Sequence, residues 1–276
     1  MGNTETKPIL APTEEELEQG RKNWLEWEKN NPNNFSKWYN RFVGVLPTPF
    51  TVIVAAPEEL LPHLVCENCE TDIPVVEEWV DTEVMPEIKR VFGGIPDKLF
   101  MKNGCFSNKF DFAKSCLLEQ VDTKTIAKHI FNIEEAALCF DTCGDLEFVF
   151  REWIEPVPGT PCIYNGMPFR PEMRVFYDFD RKKVLYDKFY WDWEYCYPHM
   201  VGTEDEQEYS EAYPVVFDEY LARRTEILDY LERQLAYVEG MHGQWSIDIL
   251  VNGKDWWMID AANAWESAYW DPELAK

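Results

Sequence analysis

The stretch Trp245–Trp265, WSIDILVNGKDWWMIDAANAW, constrains the fold more than any other in the chain. Asn252-Gly253, set between two runs of alternating apolar residues, is a strong signal for a β-hairpin. Strand side chains point to opposite faces with a period of two. Ile247, Ile249 and Val251 therefore share a face, with Asp248 on the other; on the return strand Trp257 and Ile259 alternate with Asp260. The two acids share a face only when paired residue numbers add to an even value. A three-residue loop Asn252-Gly253-Lys254 or a bulge gives that parity. A strict two-residue turn does not, because a one-residue slip flips every side chain. The longer or bulged loop is expected, with Ile247, Ile249, Val251, Trp257 and Ile259 as its apolar face. Two carboxylates on adjacent strands suit a hard divalent cation such as Mg2+. In a chain with 51 acidic residues, an edge hairpin with two solvated acids accounts for this stretch equally well.

A length of 276 residues supports one large domain or two lobes with a real core. Twelve tryptophans and 15% aromatic content exclude a disordered chain. The net charge of −25 argues against nucleic acid and anionic membranes as partners, since both need Lys/Arg surfaces. It does not exclude ATP, because a few placed cations hold phosphates. No apolar run approaches the ~20 residues that span a bilayer. The start, MGNTETKPIL, lacks a signal-peptide core, and a cytoplasmic location is expected. Gly2 with Thr6 matches the short myristoylation pattern, which chance also produces often. Eight cysteines without a secretory signal read as reduced thiols. Cys66 and Cys69 have metal-ligand spacing, with His63 nearby and Cys139 and Cys143 further on. No second CxxC completes a structural zinc site, and ordinary loop cysteines are the commoner outcome.

Residues 1–45 read as a helical extension. Thr13-Glu14-Glu15-Glu16 forms a capping-box pattern ahead of Leu17, Trp24, Leu25 and Trp27. Asn30–Asn34 breaks that helix, and Phe35, Trp38, Tyr39 and Phe42 recur at helical spacing. Residues 50–56 read as a strand, 57–64 as the start of a helix, 75–80 as a second strand and 82–92 as a helix stopped by Gly93-Gly94. Thr123–Ala137 is a helix, and Leu146–Ile154 a strand ended by Pro156. Glu172–Asp178 and Val184–Trp191 are strands about a turn, and 191–211 is a surface loop. Phe217–Val238 is a helix whose stripe is Leu221, Ile227, Leu228, Leu231, Leu235 and Val238.

Between Phe100 and Asp111 a strand ends at Lys102, and a polar loop with Gly104, Ser107 and Lys109 follows. Such a loop places a point charge and backbone N–H groups beside phosphates. Neither GxxxxGK nor GxGxxG occurs, and a surface turn explains the loop taken alone. The four histidines are scattered and form no legible Ser/His/Asp or Cys/His arrangement.

The order of these pieces resembles the ATP-grasp superfamily, most closely small phage and bacterial ATP-grasp proteins and the chaperone clade that assembles translation initiation factor two. The resemblance is carried by Lys102 with Ser107, Lys109 and Asp111; by Arg151-Glu152-Trp153; by Glu172-Met173-Arg174-Val175-Phe176; and by Asp248 with Asp260-Ala261-Ala262-Asn263. It spans roughly residues 50 to 270. It implies an α+β ATP-grasp fold: two α/β lobes, 46–150 and 151–276, hold a nucleotide between antiparallel sheets, with residues 1–45 as an extension. Lys102 would contact the α- and β-phosphates and Arg174 the γ-phosphate, the two being the catalytic pair. Lys109 and Arg151 would join the nucleotide-binding set. Glu152, Trp153 and Ile154 would form the hinge that reads adenine and ribose. Asp248 and Asp260 would coordinate Mg2+, with Asn263 a third ligand. Here the chain departs from the family, which carries Asn at the position of Ala262. ATP and Mg2+ are the implied cofactors. The implied activity is ATP-dependent ligation of a small-molecule or peptide carboxylate to an amine through an acyl phosphate. The alternative is a non-catalytic nucleotide-binding assembly chaperone with one protein partner. A binding module that takes no nucleotide is the third reading.

Overall fold

The computed structural model describes residues 13–64, 68–140 and 145–276. Gly2, Thr6, Cys66 and Cys143 lie outside the described residues, and with them the myristoylation pattern and half of the cysteine spacing. The chain divides into two compact units after Asn31. In the first, α1 (Glu14–Asn30) opens with the expected capping box: the Thr13 N–H donates to the Glu16 carboxylate at 2.8 Å, and the Glu16 N–H donates back to the Thr13 hydroxyl. None of its residues is buried, Leu17, Trp24, Leu25 and Trp27 included.

The second unit begins at Pro32, ahead of the boundary at 45/46. Its first helix, α2 (Phe35–Phe42), buries all four aromatics that recur at helical spacing. Two four-stranded antiparallel sheets follow. The first has the order β1-β4-β2-β3, with β1 (Thr51–Ala55), β2 (Leu99–Asn103), β3 (Leu117–Leu118) and β4 (Glu147–Glu152). Between its strands run α3 (Leu61–Leu64), α4 (Cys69–Trp79), α5 (Met85–Phe92), α6 (Phe112–Ser115) and α7 (Thr123–Cys139). The pleat sends Val52, Val54, Leu99, Met101, Phe148 and Phe150 to the helix-covered face, and all are buried. Phe100, Lys102, Val149 and Arg151 alternate with them and look the other way.

The expected strand at 75–80 is instead helix α4. Val76, Val80 and Val84 are spaced four apart and fully buried, which is a helical stripe, and the Asn68 side chain caps the start. β-Branched residues suggested a strand, but packing of the stripe overrides a weak local preference. One π-type turn, Val80–Val84, runs α4 into α5, which Gly93 ends at φ +71.

The second sheet has the order β10-β9-β7-β8, with β7 (Glu172–Asp178), β8 (Lys183–Phe189), β9 (Gln244–Asn252) and β10 (Asp255–Asn263). A small hairpin, β5 (Cys162–Ile163) with β6 (Met167–Pro168), precedes it. Met173, Val175, Tyr177, Ile247, Ile249 and Val251 form one core with Ile227 and Leu231 of the long helix α9 (Glu206–Gln234). Leu221, expected in that stripe, is exposed, and Tyr220 is buried instead. The segment 191–211, expected as a loop, forms α8 (Trp193–Met200) and the start of α9. Trp193 stacks on Tyr197 at 4.2 Å and on Tyr209 at 5.6 Å, while Tyr195 is exposed.

The hairpin corrects one expectation and keeps its consequence. Its loop is the strict two-residue turn Gly253-Lys254, with Asn252 paired to Asp255 and Gly253 at φ +63. That parity would set Ile259 opposite Asp248. A bulge at Ile259 takes up the extra residue, and Asp260 becomes the partner of Asp248. The core face of β10 is therefore Trp256, Met258 and Ala261. Trp257 sits opposite Leu250 on the other face, and Ile259 is the bulge residue.

Candidate functional site

Where the two sheets face each other they leave a narrow cleft of about 70 Å³. Phe100, Phe112, Met167, Leu250 and Ile259 give it apolar walls; Glu152, Trp153 and Ile154, which leave β4 and lead toward the second sheet, line one side. Burial lifts the Glu152 carboxyl above the ordinary range.

On the second sheet, strand register builds a row of charge. Lys188, Arg174, Asp248 and Asp260 are direct neighbours across β8, β7, β9 and β10. Arg174 forks onto Asp248, with Nε at 2.8 Å from Oδ1 and Nη2 at 2.7 Å from Oδ2. Lys102 reaches in from the opposite sheet, with Nζ at 2.7 Å from Asp260 Oδ2. The four residues singled out by sequence thus meet in one place.

Two more cations, one in the first sheet and one in the loop after β2, also bond to the second half of the chain. Lys109 donates to Glu172 at 3.0 Å and lies 4.2 Å from the Tyr190 ring centroid. Arg151 donates to the Ile259 carbonyl and lies 4.2 Å from the Phe100 ring. The bulge that sets the register of Asp260 therefore also supplies an anchor between lobes. Burial opposes the charge on Lys109, but Glu172 and Asp248 more than offset it and raise its pKa. Arg174 is raised in the same way, burial being outweighed by Asp248. Glu172 is pushed up by burial, which the charge on Lys109 opposes. Arg151 is pulled down by burial. In a chain of net charge −25, Lys102, Lys109, Arg151, Arg170 and Arg174 converge on Asp248, Asp260 and Glu172. Five cations against three carboxylates set this cluster apart from a chain that is net negative overall.

Asn263 does not join the row. It pairs with Trp245, one step of the pleat from Ala262 and Ser246, so alternation turns it to the opposite face of β10. Its backbone N–H donates to the Asn33 side chain at 2.8 Å. Among the described residues no three His, Cys, Asp or Glu side chains gather to hold a metal. Two carboxylates side by side still fit Mg2+, which commonly takes one or two protein carboxylates and completes its shell with phosphate and water oxygens. The loop after Lys102 is less open to phosphates than its composition suggests. Asn103 Oδ1 accepts from the N–H groups of Cys105 and Phe106, at 3.1 and 2.6 Å. Asp111 accepts from Asn165 and Lys114 on the loop's far side.

Sequence reasoning missed Arg170, which lines the cleft, and Ile259. Arg170 lies in a proline-rich loop that shows no periodicity. Its one signal is a charged residue wedged between Phe169 and Pro171 just before a strand.

No family model matches the sequence, and no curated protein matches it. Among solved structures, C-terminally truncated Cdc123 from Schizosaccharomyces pombe is similar over 90% of this chain and 88% of that one, with a TM-score of 0.51 and 15% identity. At that identity the likeness is one of fold. The fold is ATP-grasp. Lower-scoring matches are a RimK domain ATP-grasp protein from Sphaerobacter thermophilus (TM-score 0.34, 11% identity, 82% of this chain and 55% of that) and a D-alanine–D-alanine ligase from Bacillus anthracis complexed with ATP (0.37, 8%, 83% and 52%). Residues 152–154 follow β4 on the way from the first sheet to the second. Among the described residues no helix is long and apolar enough to cross a membrane.

Proposed function

We propose that the ATP-grasp cleft binds ATP with Mg2+, and that the protein is an ATP-dependent carboxylate–amine ligase acting through an acyl phosphate. The observation that carries this reading is the meeting of Lys102, from one lobe, with the Arg174–Asp248–Asp260 row of the other. Those four charges already neutralise one another in two pairs. Each of them would find a new partner in a bound nucleotide and metal, so no buried charge would be left bare. Asp248 and Asp260 would hold the metal, Lys102 the α- and β-phosphates, and Arg174 the γ-phosphate. When bound, the ion neutralises charge on the phosphate oxygens. Lys109 and Arg151 add positive charge at the edge of the site, while Phe100, Leu250 and Ile259 hold the adenine ring away from water. The substrate carboxylate oxygen attacks the γ-phosphorus and ADP leaves; an amine then displaces phosphate. Such transfers rest on positioning and charge stabilisation, so no side-chain nucleophile is needed.

The test is ADP release by the purified chain against a panel of amino-acid and peptide carboxylates with amine acceptors. Turnover that depends on one pair, and disappears in Asp260→Asn, supports the ligase. Binding of Mg-ATP with no ADP formed on any of the panel contradicts it. A second reading, a nucleotide-binding assembly chaperone for one protein partner, is favoured by two observations: the likeness of fold to Cdc123, and Ala262 standing on the metal face where the family carries Asn. A stoichiometric partner recovered equally by the wild type and by Asp260→Asn supports the chaperone.

A further inference from the structure

In the order β1-β4-β2-β3, β1 is an edge strand. The Ala56 N–H donates to the Leu146 carbonyl and the Glu152 N–H to the Phe50 carbonyl, so the even-numbered residues of β1 bond to β4. The N–H and C=O groups of Thr51, Ile53 and Ala55 point the other way, to the open edge. Among the described residues no strand or loop pairs with them. Proteins usually blunt such an edge with charge, proline, a bulge or a covering element. The strand TVIVA carries no charge and no proline, and it pairs with β4 without a bulge. At Ala55 the edge runs into an open groove of about 660 Å³, between residues 55–60 and one face of α4 and its π-type turn. That volume is typical of ligand sites. Ala55, Leu60, Val75 and Trp79 give the groove an apolar lining. Its charged lining residues, Glu59, Glu78 and Glu83, are all acids and all exposed. The groove shares no residue with the cleft between the sheets.

We propose that the β1 edge and this groove dock an extended segment of a partner protein in which Lys or Arg alternates with apolar residues. The segment adds a strand to the first sheet beside β1. Its backbone takes up the outward groups of Thr51, Ile53 and Ala55, and pockets for alternate side chains supply the specificity. Apolar side chains settle against Leu60, Val75 and Trp79, and basic ones reach Glu59, Glu78 and Glu83. Complementary charge of this kind speeds encounter and suppresses wrong partners. A second copy of this chain could offer the same edge. It would bring acids to face acids, in a chain of net charge −25, and like charge opposes that pairing. Docking here does not depend on the nucleotide reading.

The test is fluorescence-polarisation titration of the full chain with labelled, acetylated hexapeptides that alternate Lys or Arg with Val, Leu or Phe. Amide hydrogen exchange, read residue by residue by NMR, follows on the tightest of them. A one-residue shift in pairing turns either face of such a peptide to the acids. The expected result is saturable binding, with exchange at the Ile53 and Ala55 amides slowed in the complex. The same peptide with Glu for its basic residues should not bind. Glu78→Lys combined with Glu83→Lys should weaken binding roughly tenfold. If no peptide binds, the proposal is overturned. Binding that leaves exchange at Ile53 and Ala55 unchanged also overturns it, because charge attraction alone then accounts for the affinity. Protection of those amides that grows with protein concentration in the absence of peptide gives the edge to a second copy, and overturns the basic partner. The exchange measurement on the wild type decides the matter even if the double variant does not fold.

Discussion

Lys102 is 1% exposed at its side chain, and its counter-charge, Asp260, is 34% exposed. This asymmetry predicts unequal costs for breaking the pair from its two ends. Lys102→Met leaves a carboxylate that water reaches. Asp260→Asn leaves a buried ammonium without an opposite charge, which costs about 3–5 kcal/mol in comparable sites. Asp260→Asn should therefore be the more destabilising by about 2 kcal/mol or more in urea melts; equal costs would show that the ammonium is not held by this pair. Glu134, on α7, carries a second residue-scale prediction. Its carboxyl is buried and accepts from Asn103 Nδ2 at 3.0 Å, and burial raises its pKa from 4.5 to about 7. A carboxyl raised on folding holds its proton more tightly in the native state. Its stabilising contribution is complete below the unfolded value and is lost as pH climbs through the folded one. Stability should thus fall between about pH 4.5 and pH 7. Glu134→Gln keeps an acceptor oxygen and removes the titration. It should flatten that slope and gain on the order of 2–3 kcal/mol above neutrality, as read from denaturant midpoints across pH.

At the scale of elements, the bulge in β10 matters most. Ile259 is the residue that turns the parity of a two-residue hairpin into the one that pairs Asp260 with Asp248. Exchanging the two residues, I259D/D260I, puts the acid on the bulge and an isoleucine in the row. The strand count and the Gly253 turn are untouched, so far-UV circular dichroism should stay native-like while Mg2+-dependent nucleotide binding is lost. Retained metal dependence would mean that the register does not place the acid. The same hairpin shows what was legible in the sequence. Asn252-Gly253 and the alternation around it give the strands, and the spacing of the acids gives their shared face under one condition. Which device meets that condition, a loop or a bulge, depends on tertiary contacts such as Arg151 on the Ile259 carbonyl. The misread elements fail for related reasons. Val75–Val80 is rich in β-branched residues, but Val76, Val80 and Val84 find a core at helical spacing. The aromatic run before α9 reads as loop because its stacking partners, Tyr209 and Tyr213, lie a turn or more away in α9. Arg170 was invisible because a buried cation in a loop has no period; only the two facing walls make it a site residue.

Across the whole molecule, three cations on the first sheet and its loop are spent on acceptors of the second sheet: Lys102 on Asp260, Arg151 on the Ile259 carbonyl, and Lys109 on Glu172. They act beside an apolar core that runs through both sheets, in which Phe112, Cys116 and Val149 pack in one cluster with Met173, Val175 and Ile249. A ligand that binds the native state stabilises it by mass action, by about 2.7 kcal/mol at a hundred times its Kd. For a chain of this size that corresponds to a rise in Tm of roughly 5–10 °C. Saturating ATP with Mg2+ should produce that rise, and ATP with EDTA a smaller one. Differential scanning fluorimetry with no shift in either case would favour a module that takes no nucleotide.

The central claim is that Lys102, Arg174, Asp248 and Asp260 converge on one metal-bound triphosphate. A crystal structure with a non-hydrolysable ATP analogue and Mg2+ tests it most directly. The account predicts Lys102 Nζ and the Arg174 guanidinium on phosphate oxygens, Asp248 and Asp260 on the metal, and adenine against Trp153 and Ile154. A nucleotide bound elsewhere, or one in the cleft with the Lys102–Asp260 and Arg174–Asp248 pairs still closed, would contradict it.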